Sequence, residues 1–190
     1  MQWFYDWLIP ACWLVWLVWW QIAAGSTKTT QRIESIASRV FRTVLFLGGV
    51  ALLFWTSAPL PWLYRHLVTP SLWTFWLGTA ITLAGLLFAV WARLILGANW
   101  SRSVTIKQDH ELITRGPYKL IRHPIYTGML IGFLGTALAI TELRALVAFV
   151  LIFLSLWYKL RLEEKWMSAQ FGQTYADYAR HTAALIPWLI

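Results

Sequence analysis

The chain has 190 residues, enough for one domain, of which 59% are hydrophobic and 13% charged, where soluble proteins run nearer about 45–50% and about 25%. Fifteen tryptophans and a net charge of +8 complete a composition that excludes a soluble globular enzyme and reads as an integral membrane protein, since tryptophan concentrates where spans meet headgroups. The sixteen basic residues gather in a few loops, so their excess points to membrane orientation and anionic headgroups and not to nucleic acid.

A hydrocarbon core of about 30 Å takes roughly 20 apolar residues in helix. Trp3 to Ala24 is a first such run, interrupted by Asp6, Pro10 and Gln21. It follows no basic n-region and continues past signal-peptide length, so no cleavable signal peptide is expected. Cys12, the single cysteine, can form neither an internal disulfide nor a thiolate metal cluster, and reads as a small lipid-facing residue. Val40 to Tyr64 is a second run, ending in the turn-like SAPLP, and Leu72 to Leu96 a third, with Arg93 near its end. After the polar stretch from Gly97 to His123, Ile125 to Ile140 and Leu146 to Tyr158 follow, separated by TELR. Both are short and read as a tight helical hairpin.

The expected fold is therefore all-α and integral to the membrane, with five transmembrane helices, a cytoplasmic loop and C-terminal amphipathic helices. Residues 1–96 supply three N-terminal helices, and residues 97–190 the loop, hairpin and tail. Lys28, Arg32, Arg39 and Arg42 lie between the first two spans, and Arg102, Lys107, Arg115, Lys119 and Arg122 follow the third. Lys159, Arg161, Lys165 and Arg180 lie in the tail, while the opposite side has only Arg65 and Arg144. That asymmetry places the N-terminus outside and the loop and tail together in the cytoplasm.

The segment GPYKLIRHPIYTG, Gly116 to Gly128, is crowded with groups that lipid does not tolerate. Pro124 suits the first position of a helix, where its missing N–H costs nothing. His123 then sits at the cap and Tyr126 one turn in, beside free N–H groups that favour a carboxylate. Gly128, Gly132 and Gly135 form a small face that admits another backbone closely. A basic tether with a capped span accounts for these residues as well as a binding site does. Upstream, Glu111 to Thr114 reads as a short extended segment before a Gly-Pro turn. Downstream, YKLRLEEKW offers ion pairs Lys159–Glu163 and Arg161–Glu164 at helical spacing. Adjacent carboxylates at the end of a span are costly to desolvate and are often functional. Leu162, Trp166 and Ala169 share one face and Phe171, Tyr175 and Tyr178 another after Gly172, which suggests two short amphipathic helices.

HELITRGPYKLIRHPIYTG, followed after a hairpin by EEKWMSAQFGQTYADY and a terminal IP, resembles the isoprenylcysteine carboxyl methyltransferase family, within a wider group of membrane methyltransferases that includes phospholipid N-methyltransferases. The similarity covers roughly residues 90 to 188. It implies a cytoplasmic S-adenosylmethionine site formed by His110, Leu112, Ile113, Tyr118, His123, Pro124, Ile125, Tyr126 and Glu163. Glu163 and Glu164, with Lys159 or Arg161, are the candidates for the reaction itself. The family carries an arginine shortly before its glutamate. Lys159 stands four residues before Glu163, and Arg161 two before, so the cation that orients the acceptor is left open between them.

Methyl transfer from a sulfonium is an in-line displacement that needs alignment more than acid–base work. A carboxylate acceptor is already a nucleophile and needs only an orienting cation, whereas an amine must first lose a proton, for which Glu163, Glu164 or a histidine could serve. The expected function is carboxyl O-methylation of an isoprenylcysteine-like or other lipidic acceptor drawn from the membrane. The alternatives are a phospholipid or amine N-methyltransferase and a non-catalytic transporter or assembly subunit. Transport fits poorly, because the span centres are almost free of ionisable residues. The short five-span form implies a bacterial inner membrane.

Overall fold

The structure, a computed structural model, describes residues 2–24, 30–55, 60–100, 105–107 and 112–187. The described residues form the α-helices α1 Gln2–Ala23, α2 Ile36–Phe54, α3 Leu72–Leu96, α4 Pro124–Ile140, α5 Leu143–Phe171 and α6 Gln173–Arg180. A short antiparallel ribbon joins β1 Thr30–Ile33 to β2 Thr105–Lys107, an addition to the all-helical expectation.

The first and third helices fall where the apolar runs place them. α2 starts earlier than Val40, because Ser35 caps it and accepts from the Ser38 N–H. It also stops ten residues short of Tyr64, and Pro61–Tyr64 forms a separate 3₁₀ turn. Among the described residues four helices, α1, α2, α3 and α5, are long and apolar enough to cross a membrane by length and composition, while α4 has 17 residues.

α5 departs most from expectation. The fifth run does not end at Tyr158 but continues as one helix to Phe171. No proline or glycine interrupts residues 143–171, and the helix stops only where Gly172 takes φ +53°. The first of the two expected amphipathic helices is therefore the last turns of α5, and only the second, α6, is separate.

Glycine decides how α4 sits. Gly78 and Gly85 of α3 meet Gly128, Gly132 and Gly135 of α4 so closely that a Cβ added at Gly85 would lie 2.4 Å from the Gly132 nitrogen and 2.5 Å from the Gly128 oxygen. Beneath this seam the Thr82 hydroxyl donates to the Gly132 carbonyl at 3.2 Å. α1 covers it with tryptophan: Trp13 stacks on Phe133 at 4.2 Å and donates its indole N–H to the Thr136 hydroxyl at 2.9 Å. Cys12 is half-buried beside this core and not simply lipid-facing. α2 packs against α5 on the other side.

The two ends of the bundle differ. At one end Arg144 is buried and donates at 2.7 Å to the carbonyls of Leu52 and Leu53, closing the last turn of α2, and pairs with Glu142. Backbone bonds Leu67 N–H to Thr141 O and Leu143 N–H to Arg65 O tie the 60–71 connection to the turn between α4 and α5. At the other end the β1–β2 ribbon links the α1–α2 loop to the chain after α3, and Arg93 donates to the Ala23 carbonyl at the end of α1. The cluster that begins α4 lies at this second end.

Candidate active site

Gly116, at φ +61°, lets the chain turn sharply into the 3₁₀ segment Gly116–Lys119, which buries Pro117 and Tyr118. The Tyr118 hydroxyl donates to the Ala92 carbonyl at 3.4 Å. Its carbonyl accepts from the Tyr178 hydroxyl of α6 at 2.7 Å. Burial raises the Tyr118 phenol and pushes that of Tyr178 up to about 12, so both are protonated donors at neutral pH.

The loop is then held by the tail. Residues 120–123 pair with residues 183 and 184 through Arg122 N–H to Ala183 O at 2.8 Å, Ala183 N–H to Leu120 O at 3.0 Å and His123 N–H to Ala184 O at 3.1 Å. The Thr127 hydroxyl adds a 2.7 Å bond to the Leu185 carbonyl. With its backbone fixed from that side, His123 ends the loop as the cap residue of α4, and Pro124 takes the first helical position, fully buried.

The His123 side chain makes no capping bond; its ring lies parallel to that of Tyr126, with centroids 5.5 Å apart and planes 4° from parallel. The Tyr126 hydroxyl reaches both oxygens of Glu163, at 2.7 and 2.8 Å. His123 Nδ1 lies 3.6 Å from Glu163, and Nε2 3.6 Å from Glu164. At that length Nε2 is a buried polar atom with no hydrogen-bond partner. Lys159, one turn before Glu163 on α5, holds its ammonium 3.7 Å from Glu163 and 5.2 Å from the centre of the Tyr126 ring. Helical spacing of four puts Lys159 and Glu163 on one face, and here that face turns to the start of α4.

Tyr118, His123, Pro124, Ile125, Tyr126, Lys159, Glu163 and Glu164 therefore converge at one end of the bundle. Leu112 and Ile113 are half-buried in the adjoining loop, with Ile113 against the core. His110 and Glu111 lie outside the described residues. Arg161 is exposed, its guanidinium 6.0 Å from the Trp157 ring centre. It does not form the expected pair with Glu164, whose partner is Arg122 at 2.7 Å. Arg122 comes from the loop in front of α4 and brings its charge within hydrogen-bonding reach, whereas Arg161 points away from the cluster.

Two features escaped the sequence reading. Arg122 appeared there only as one loop charge, yet it joins Glu164 to the end of α6, donating to the Ala179 carbonyl at 3.0 Å and to that of Thr182. Glu34 and Arg42 form a buried pair at the start of α2, with Arg42 Nε 3.1 and 3.2 Å from the two Glu34 oxygens. The local signal for the second was a lone carboxylate just before a serine cap, eight residues ahead of an arginine inside an apolar run. Chemically the cluster offers an anion a helix start and an unused imidazole nitrogen, and offers a cation the Glu163 carboxylate among aromatic faces.

The chain is similar to several known proteins. The sequence profile of the phospholipid methyltransferase family matches residues 73–174. A probable protein-S-isoprenylcysteine O-methyltransferase of Oryza sativa subsp. indica is 29% identical over 157 residues, covering 79% of this chain and 82% of the relative. A cobalt-zinc-cadmium resistance protein of Cupriavidus metallidurans is 38% identical over 85 residues, covering 44% of this chain and 38% of the relative. Among solved structures, the eukaryotic intramembrane Ras methyltransferase, isoprenylcysteine carboxyl methyltransferase, aligns with a TM-score of 0.54 at 23% identity. That alignment covers 81% of this chain and 50% of the solved one, and it establishes a shared fold.

Proposed function

Since the chain belongs to the phospholipid methyltransferase family and is a membrane methyltransferase, we propose that it uses S-adenosylmethionine to methylate the carboxylate of an isoprenylcysteine-like or other lipidic acceptor. The observation that carries this reading is the junction of Tyr126, His123 and Glu163, where the first turn of α4 meets α5. The orphaned His123 Nε2, buried beside a helix start, suits the carboxylate of the methionine moiety. Glu163 and the Tyr126 face suit the sulfonium. The donor set thus fits the cofactor, with Leu112, Ile113, Tyr118, Pro124 and Ile125 nearby; His110, outside the described residues, joins them by the motif alone. When bound, S-adenosylmethionine supplies an electrophilic methyl group.

The protein's own part is alignment. Tyr126 fixes the Glu163 carboxylate through one hydroxyl proton shared between its two oxygens, which orients one negative charge without moving a proton. Lys159, on the same face, offers an ammonium that would hold an acceptor carboxylate with its lone pairs toward the methyl. Arg122 keeps Glu164 occupied and so leaves Glu163 as the carboxylate for the reaction centre. A carboxylate acceptor needs no base, so Glu163 orients and Lys159 neutralises.

We place the reaction at the cytoplasmic face of a bacterial inner membrane, with α4 as a fifth, thin span, residues 97–190 as the catalytic part and residues 1–96 as its support. The lipidic acceptor would reach the site from the bilayer. Calorimetric titration with S-adenosylmethionine, followed by methyl transfer to a farnesylated cysteine, phosphatidylethanolamine and a simple amine, tests the proposal. Binding with transfer to the carboxylate supports it; no binding refutes it, and transfer to the amine alone replaces the acceptor.

A further inference from the structure

The α2–α5 seam carries a second group of charges beside the candidate site. Ser155, Lys159 and Glu163 follow one another at spacings of four on α5, hence on one face. The Ser155 hydroxyl donates to the backbone carbonyl of Arg42 at 2.7 Å, which pins the first turns of α2 one turn below Lys159 on that face. Arg42 projects from there, its side chain largely buried beside Glu34.

Glu34 holds Arg42 in place. The guanidinium donates to it through Nε at 3.1 and 3.2 Å and through Nη2, which leaves Nη1 outside the pair. Ser38 donates to Glu34 at 3.0 Å, and Arg39 reaches its carbonyl. The Glu34 side chain is completely buried and that of Arg42 13% exposed. Such a pair is expensive to desolvate and contributes little net stability where an apolar pair would also fit. Its place calls for a different reason.

That reason lies in the shape of an acceptor carboxylate. An ammonium such as Lys159 is a point charge, whereas a planar guanidinium holds a carboxylate in one orientation. Arg122 is committed to Glu164 and two carbonyls, and Arg161 faces away over Trp157. Arg42 is paired with Glu34 through Nε and Nη2, and its Nη1 lies outside that pair. The residues before Arg42 and Lys159 mark the side of approach: Phe41 and Tyr158 meet edge-on at 5.6 Å and are exposed on the outer surface of the seam. A lipid chain lying on those rings brings its head group to the cations just inside.

We propose that Arg42, clamped by Glu34, is a specificity-determining residue that receives the anionic head of the acceptor together with Lys159, so that α2 supplies the site's selectivity for a carboxylate. This rests on the proposed carboxyl methylation and assigns its recognition to a helix outside the two sequence motifs. Removing Arg42 alone would strand a buried carboxylate, so the informative variant is the double replacement Glu34→Met with Arg42→Met, which removes the pair without net change of charge. The measurement is tryptophan-fluorescence titration of the cofactor-free protein with S-farnesylcysteine acid and with its methyl ester. The parent should bind the acid about tenfold or more tightly than the ester, as loss of a charge-assisted bond implies. The double variant should bind the two nearly alike while keeping the parent's affinity for S-adenosylmethionine. An unchanged preference for the acid in the double variant, or no preference in the parent, overturns the role of Arg42. Methyl transfer by the parent is scored separately, so a protein that discriminates acid from ester but transfers no methyl refutes the proposed reaction and not this recognition.

Discussion

Replacing Gly85 by alanine adds one methyl group where the backbones of α3 and α4 touch. Its Cβ would stand 2.4 Å from the Gly132 nitrogen, 2.5 Å from the Gly128 oxygen and 3.0 Å from the Gly132 Cα, where nonbonded carbon contacts settle near about 3.5–4.0 Å. All three neighbours are backbone, so no rotamer change relieves the clash, and α3 and α4 must part by about 1 Å. Overpacking of this kind costs roughly 1–3 kcal/mol. The shift also carries the start of α4, because Gly128 is one turn from Pro124, and Tyr126 would move against Glu163, to which it is bonded at 2.7 Å. Gly48 of α2 is the control, since a Cβ there meets nothing within 4 Å. Gly48→Ala should be neutral or stabilising by up to about 1 kcal/mol, as alanine is the better helix former. Thermal unfolding in detergent micelles, with calorimetric titration of S-adenosylmethionine, reads both effects. Gly85→Ala should lower the unfolding midpoint and weaken binding while Gly48→Ala does neither. Indistinguishable behaviour of the two variants would refute the claim that glycine contact sets the site's geometry.

Three further outcomes are expected. His123→Ala and Tyr126→Phe should each weaken S-adenosylmethionine binding by about ten- to a hundredfold, the worth of one charge-assisted hydrogen bond, and unchanged calorimetric affinity in both would make the cluster purely structural. Glu163→Gln should damage binding or turnover far more than Lys165→Gln, because Glu163 is bonded to Tyr126 whereas Lys165 is exposed on the same helix; equal, mild losses in a methyl-transfer assay would reduce this part of α5 to an anchor. A cysteine placed at Thr174 in a Cys12→Ser background should resist impermeant maleimide applied to intact cells, since the basic residues concentrate at that end, and efficient labelling from outside would reverse the orientation.

The sequence by itself determined the features that depend on neighbours along the chain. Apolar runs of span length located α1 and α3 nearly to the residue, and the RHP motif predicted that α4 begins at Pro124 with His123 at its cap. Spacing of four put Lys159 and Glu163 on one face, and the small residues Gly128, Gly132 and Gly135 announced a close helix contact. Each is a local rule: helical period, proline geometry or the absence of a Cβ. The tertiary structure alone decided which surfaces meet. Nothing local names Gly78 and Gly85 as the counterpart of the α4 glycines, or Arg122 in place of Arg161 as the partner of Glu164. Likewise the pairing of residues 183 and 184 with the loop before α4, and of Glu34 with Arg42 at the start of α2, joins segments whose own sequences do not name their partners. Periodicity tells which face of a helix is apolar or small, but the partner of that face is chosen by the shape and charge of the whole bundle, where each buried polar group must find its bond across the fold.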